Sequence, residues 1–118
     1  MDEPSEAFVY DMERLCKQYE VCLIADEVQS GFGRSGTFFA YQKYKIEPHI
    51  VTMAKGMGNG FPIGGILVHP SIEAQYGMLG TTFGGNHLAC AAYIAVLEVL
   101  EQEKLQARAQ ELEPYFVA

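Results

Sequence analysis

Val21-Cys22-Leu23-Ile24-Ala25-Asp26-Glu27 is the stretch that decides the fold. Val21 to Ala25 do not alternate with polar residues, so the run reads as a β-strand covered on both faces. It ends in two carboxylates. In α/β sheets the carboxyl ends of parallel strands are where ligands sit, which makes Asp26 a candidate ligand residue. A side chain that merely caps the following turn is an equally good reading of Asp26 taken alone. Upstream, Ser5 can cap a helix whose apolar positions Phe8, Met12, Leu15, Cys16 and Tyr19 form one stripe.

Downstream comes a glycine-rich loop, Ser30-Gly31-Phe32-Gly33-Arg34-Ser35-Gly36, then a short helix over 38–44. Pro48 precedes a second apolar run, His49-Ile50-Val51-Thr52-Met53. The segment between the two runs is long enough for a crossover, so the strands are expected to be parallel. A third run, Gly65-Ile66-Leu67-Val68, follows a turn too short for a crossover and is expected to pair antiparallel. Pro70 and Ser71 start a short helix reaching about residue 76. Asn86 caps a long helix over 88–103, whose small apolar first half is expected to be buried. A last helix over 105–113 is expected to stop at Pro114. Three strands flanked by helices give an α/β arrangement. Its few helices and two open sheet edges suggest the middle of a larger domain.

Composition narrows the class. The chain has 118 residues, 49% of them hydrophobic and 19% charged, which is globular. A net charge of −7 argues against a nucleic-acid partner, which needs a basic footprint. No apolar run approaches a membrane span and no secretory leader is recognisable. Cys16, Cys22 and Cys90 share no metal or redox spacing, and free thiols suit a reducing, cytoplasmic setting. His49, His69 and His87 suggest no metal site.

The chemistry concentrates at Ala54-Lys55-Gly56-Met57-Gly58-Asn59-Gly60-Phe61-Pro62-Ile63-Gly64-Gly65, with five glycines in the ten positions after Lys55. Such density calls for positive φ or close approach to the main chain. Lys55 follows a buried strand adjacent to the one ending at Asp26, so a desolvated, nucleophilic amine is expected there. A lysine and a carboxylate at neighbouring strand ends suit a pyridine-type cofactor: the amine holds its aldehyde and the carboxylate keeps its ring nitrogen protonated. Gln29 can donate to the ring hydroxyl, or be a plain loop amide. Val28 can pack on the ring face, or be ordinary core. Thr81 and Thr82, with the Gly84 and Gly85 amides, can bind phosphate, or form a tight turn before a capped helix. The Asp26-Glu27 strand also fits the magnesium-holding strand of P-loop ATPases, but the G-x-x-x-x-G-K-[ST] loop that reading needs is absent from these residues.

Three motifs in order resemble the class III pyridoxal-phosphate aminotransferases, most nearly the acetylornithine and ornithine branch. They are the stretch from Leu23 through Asp26-Glu27-Val28-Gln29 to Gly36, then Ala54-Lys55-Gly56, then Gly80-Thr81-Thr82-Phe83-Gly84-Gly85-Asn86. The resemblance implies the central part of a fold type I large domain, with two parallel strands and one antiparallel strand. It implies that Lys55 is the Schiff-base lysine and proton carrier, and that Asp26 pairs with the pyridine nitrogen. Val28 would pack on the ring and Gln29 would bond its hydroxyl. Thr82 would bind the cofactor phosphate of a neighbouring subunit, which makes a homodimer part of the site. His87 stands where such proteins often have proline.

The implied reaction moves the terminal amine of an acylated ornithine or similar ω-amino acid to 2-oxoglutarate, within arginine or ornithine metabolism. Another class III ω-aminotransferase or an aminomutase is the nearest alternative. Family members also carry an upstream phosphate cup, a ring-stacking aromatic residue, substrate-binding arginines and a C-terminal domain, which these residues do not contain. Residues 1–118 are therefore expected to form part of the large domain, with the long helix leading toward the C-terminal domain. Alone, the chain is expected to be inactive, or to serve only as an association module.

Overall fold

The computed structural model describes residues 3–73 and 75–116. Helix α1 (Glu6–Gln18) begins at Ser5, whose Oγ accepts the Phe8 N–H at 3.3 Å. The side of α1 that packs inward carries Val9, Met12 and Cys16, which meet Leu23 and Ile46. Phe8, Leu15 and Tyr19 lie outside that stripe and stay largely exposed. The expected stripe was therefore turned too far: steps of three and four from Val9, not from Phe8, give the buried face.

Strand β1 (Ile24–Asp26) and strand β2 (Ile50–Met53) pair in parallel, with Asp26 opposite Thr52. Strand β3 (Gly65–Val68) pairs antiparallel with β2, placing Ile66 opposite Thr52, and β2 is central. Both strand directions match the expectation from connection length. The burial does not. One face of β2 presents Val51 and Met53 to the core, 4% and 6% exposed. The other face carries Ile24, Asp26, Ile66 and Val68, all exposed. An apolar run without alternation encodes cover on both sides, and these residues supply it on one.

A 3₁₀ helix (Ala40–Tyr44) stands where a short helix was expected. After β3, residues 70–73 form a turn closed by the Ile72 N–H on the His69 carbonyl at 2.9 Å, instead of starting a helix. The imidazole of His69 takes the Ser71 N–H at 3.1 Å, an alternative to helical pairing. The expected helix also crosses position 74, outside the described residues. Helix α2 (His87–Gln102) is capped as expected, with Asn86 Oδ1 accepting the Ala89 N–H at 2.9 Å. Its first half is not buried: Ala89 is 2% exposed, but Leu88 is 73% exposed. Helix α3 (Leu105–Phe116) contains Pro114 instead of stopping there. In a last turn proline forgoes only one helical bond, which lowers its cost.

The larger core cluster joins Phe32, Phe39, Val51, Met53 and Met57, with Tyr93 and Leu100 of α2 packed against it. Phe32 meets Tyr93 edge-on at 6.0 Å, which fastens the glycine-rich loop to α2. The accessible surface is 8911 Å², against roughly 6,400 Å² for a compact protein of this mass. The radius of gyration is 16.1 Å, where about 13–14 Å is usual at this length. The chain thus presents far more surface than a self-sufficient domain of its size. Among the described residues no helix is long and apolar enough to cross a membrane.

Candidate active site

Two adjacent parallel strand ends build the site. Asp26 closes β1, and its Oδ1 accepts the Val28 N–H at 3.2 Å and the Thr52 Oγ1–H at 3.0 Å. The main chain repeats the link across the strands, because the Glu27 N–H donates to the Thr52 carbonyl at 3.0 Å. The loop then folds back on itself, with the Gly31 N–H on the Glu27 carbonyl at 3.0 Å.

Glu27 holds that loop in place. It is 3% exposed, and its carboxylate accepts from Ser30 Oγ at 2.6 Å and from the Tyr41 N–H at 2.8 Å. A buried carboxylate is stable only when its oxygens are so satisfied. Sequence reasoning gave Glu27 no role. The signal available was its neighbour Asp26: if one of two consecutive strand-end carboxylates faces solvent, the other turns toward the core.

Lys55 follows β2 by one residue and opens a short 3₁₀ turn (Lys55–Met57). Its Nζ donates to Gln29 Oε1 at 2.8 Å, so the loop after β1 and the turn after β2 meet directly. The backbone of Lys55 has φ +44°, a left-handed conformation that costs a non-glycine residue about 1–2 kcal/mol. Met57, 7% exposed, anchors the turn in the core, and its N–H bonds the Ala54 carbonyl at 2.9 Å. Gly58 serves the close approach expected of these glycines, since a Cβ there would strike the Phe61 carbonyl oxygen. Strain of this kind persists only where surrounding contacts enforce it, and it concentrates at functional sites.

One expectation fails here. Lys55 is exposed, not desolvated, because the cover expected above its strand is not supplied by these residues. Lys55 and Arg34 instead share an open concavity of about 500 Å³ with Asn59 and Phe61. Val28 is half-buried beside Asp26. Thr82 is exposed, and among the described residues it makes no hydrogen bond to Asp26, Gln29 or Lys55. Hydrogen bonds and adjacent strand ends therefore link Asp26, Val28, Gln29 and Lys55, and among the described residues none links Thr82 to them. The structure also adds Thr52, missed because a threonine within an apolar strand reads as a β-branched strand former.

The same arrangement of strands and helices occurs in solved transaminase structures. The ornithine delta-aminotransferase of Plasmodium falciparum superposes with a TM-score of 0.87 at 36% identity, over 96% of this chain and 30% of that one. The taurine:2-oxoglutarate aminotransferase of Bifidobacterium kashiwanohense, solved with PLP and glutamate, gives a TM-score of 0.90 at 33% identity, over 97% and 27%. The fold is that of the pyridoxal-phosphate-dependent fold type I transferases. A family model for the class-III aminotransferases matches residues 1–118, and the chain belongs to that family. An acetylornithine aminotransferase of Methanothermobacter thermautotrophicus is 47% identical over 116 residues, covering 97% of this chain and 30% of the relative. A succinylornithine transaminase of Photorhabdus laumondii is 45% identical over 113 residues, covering 94% and 28%. The chain thus spans about a third or less of the length of the relatives it matches.

Proposed function

We propose that residues 1–118 are the lysine-bearing part of a pyridoxal-phosphate aminotransferase large domain, with α2 leading toward a C-terminal domain. The observation that carries this is the meeting of Lys55 Nζ with Gln29 Oε1 at 2.8 Å, beside the strand end of Asp26. The donor set fits the cofactor. A primary amine suits its aldehyde, a carboxylate with one oxygen uncommitted among the described residues suits its ring nitrogen, and an amide whose N–H groups have no partner among the described residues suits its ring hydroxyl. When bound, pyridoxal phosphate supplies an aldehyde that holds a primary amine and a protonated ring that draws electrons from the amine's carbon.

The chain's own residues then divide the work. Lys55 Nζ would be the amine that holds the cofactor, and as a free amine it would be the base that carries a proton. Gln29 Oε1 would accept from Lys55 Nζ when that amine is not bonded to the cofactor, and the Gln29 amide N–H would serve the ring hydroxyl. Asp26 keeps the ring nitrogen protonated through its charge, and Val28 lines the ring. Thr82, which is exposed, serves the cofactor phosphate of a second copy, so the working form is a homodimer. The donor is an acylated ornithine or similar ω-amino acid and the acceptor is 2-oxoglutarate, in the cytoplasm. Support for that substrate class comes from the acetylornithine and succinylornithine relatives.

The test is a half-reaction. The chain is incubated with pyridoxal phosphate and N-acetylornithine, ornithine or taurine, and pyridoxamine phosphate is measured by chromatography. Faster formation with an ornithine derivative than with taurine supports the reading. Equal rates would refute the substrate class. A second reading, an association module without catalysis, is favoured by the 8911 Å² of exposed surface, and formation no faster than with free cofactor would support it.

A further inference from the structure

We infer that Thr52 is a positioning residue: its hydroxyl commits one oxygen of Asp26 to the protein and leaves the other facing the cofactor's ring nitrogen. The inference rests on the function proposed above and extends it to a residue that the motifs do not mark.

The geometry is specific. Both donors to Asp26 land on the same oxygen, Oδ1: the Val28 N–H at 3.2 Å from its own loop and the Thr52 hydroxyl at 3.0 Å from the next strand. Among the described residues Oδ2 takes no hydrogen bond. A carboxylate held by a single backbone donor can still swing about its Cβ–Cγ bond. A second donor on a different element removes that freedom, because the two fix the direction of Oδ1 and hence of Oδ2. Thr52 is itself fixed. The strand register sets it beside Asp26, and the Glu27 N–H on its carbonyl at 3.0 Å clamps the pair through the main chain. A β-branched side chain has few χ1 choices, so the hydroxyl direction follows from the backbone. Ile66 on β3 closes the other side of Thr52 in the antiparallel register.

The consequence is electrostatic. Charge-assisted hydrogen bonds are short and directional, so the ring nitrogen keeps its proton only if the carboxylate oxygen points at it. A hydroxyl that merely satisfies an exposed strand end would leave the ring's protonation unchanged when removed. That difference makes the inference testable by a signal other than activity.

The experiment uses the chain with ¹⁵N-ring-labelled pyridoxal phosphate and compares the wild type with Thr52→Val and Thr52→Ser. Borohydride reduction in parallel reports whether Lys55 still bonds the cofactor. The expected result is a protonated-ring ¹⁵N shift in the wild type and in Thr52→Ser. In Thr52→Val the shift moves toward unprotonated pyridine while the Lys55 adduct still forms. An unchanged shift in Thr52→Val that still labels Lys55 would overturn the inference and leave the proposed function standing. Absence of a Lys55 adduct in the wild type would overturn both. Should circular dichroism show Thr52→Val unfolded, Thr52→Ala is judged by the same two outcomes.

Discussion

Replacing Glu27 by alanine tests whether the loop carrying Asp26, Val28 and Gln29 is held from beneath. The carboxylate is 3% exposed and accepts two hydrogen bonds, from Ser30 Oγ at 2.6 Å and the Tyr41 N–H at 2.8 Å. Bonds to a charged acceptor contribute about 1.5–3 kcal/mol each, and an amide left unpaired in a buried place costs about 1–3 kcal/mol. The Ser30 hydroxyl is half-buried and can turn to water, so its share is discounted. Glu27→Ala should therefore lose about 3 kcal/mol, a large part of the roughly 5–15 kcal/mol that holds a typical domain together. At this length that corresponds to a fall in Tm of roughly 10–15 °C. Glu27→Gln keeps an acceptor for Tyr41 and an N–H to offer Ser30, so its loss should be only about 1 kcal/mol. Thermal melts and urea titrations of the three proteins measure both. The reasoning fails if Glu27→Ala melts within about 2 °C of the wild type, a shift of well under 1 kcal/mol. Equal losses in the two variants would show that the charge, not the acceptor geometry, carries the effect.

Other perturbations probe the same scaffold. In Gly31→Ala the new Cβ would lie 2.9 Å from the Glu27 carbonyl oxygen and 3.2 Å from Phe39 Cδ1. Neither backbone nor buried ring can yield freely, and urea midpoints should show a loss of about 1–3 kcal/mol. Asn86→Ala removes the cap of α2 and should cost about 1 kcal/mol, read as a lower Tm by circular dichroism. Glu13 gives a pH dependence with a definite sign. The Glu47 N–H, followed by the Lys17 ammonium, holds its carboxyl below the ordinary value of 4.5. The stability this group adds is complete above the unfolded-state value and is lost as pH falls through the lower folded-state value. Glu13→Gln should lower Tm at neutral pH, flatten that part of the Tm-versus-pH curve, and meet the wild-type curve once pH falls below the folded-state value.

Strand directions and helix caps were legible in the sequence because they depend on local quantities. Connection length separated the parallel pair from the antiparallel one, and Ser5 and Asn86 each sat one turn ahead of an apolar pattern. The burial pattern was not legible in the same way. Val21 to Ala25 and Leu88 to Ala92 read as covered on most sides, yet Ile24 and Leu88 are open. Their composition suits a domain several times longer, such as the relatives of which this chain spans about a third or less. The same cause explains Lys55, whose strand predicts burial while its side chain lies in the open.

Within the site, the residues with a chemical signature stood out and their supports did not. Lys55 and Asp26 are conspicuous beside glycines and at a strand end. Thr52 and Glu27 act through hydrogen bonds whose partners are fixed by register and by a loop folding back. Neither quantity appears in a linear pattern. The shift of the α1 stripe from Phe8 to Val9 has a related origin, because two apolar stripes were available and only Leu23 and Ile46 selected between them.

The central claim is that Lys55 is the lysine that holds the cofactor. Folded chain is mixed with pyridoxal phosphate, reduced with borohydride and digested, and the modified peptide is identified by mass spectrometry. The account predicts labelling concentrated on Lys55, strongly reduced by Asp26→Ala and abolished by denaturing the chain before cofactor is added. Equal labelling of Lys17, Lys43, Lys45, Lys55 and Lys104, unchanged by either treatment, would contradict it.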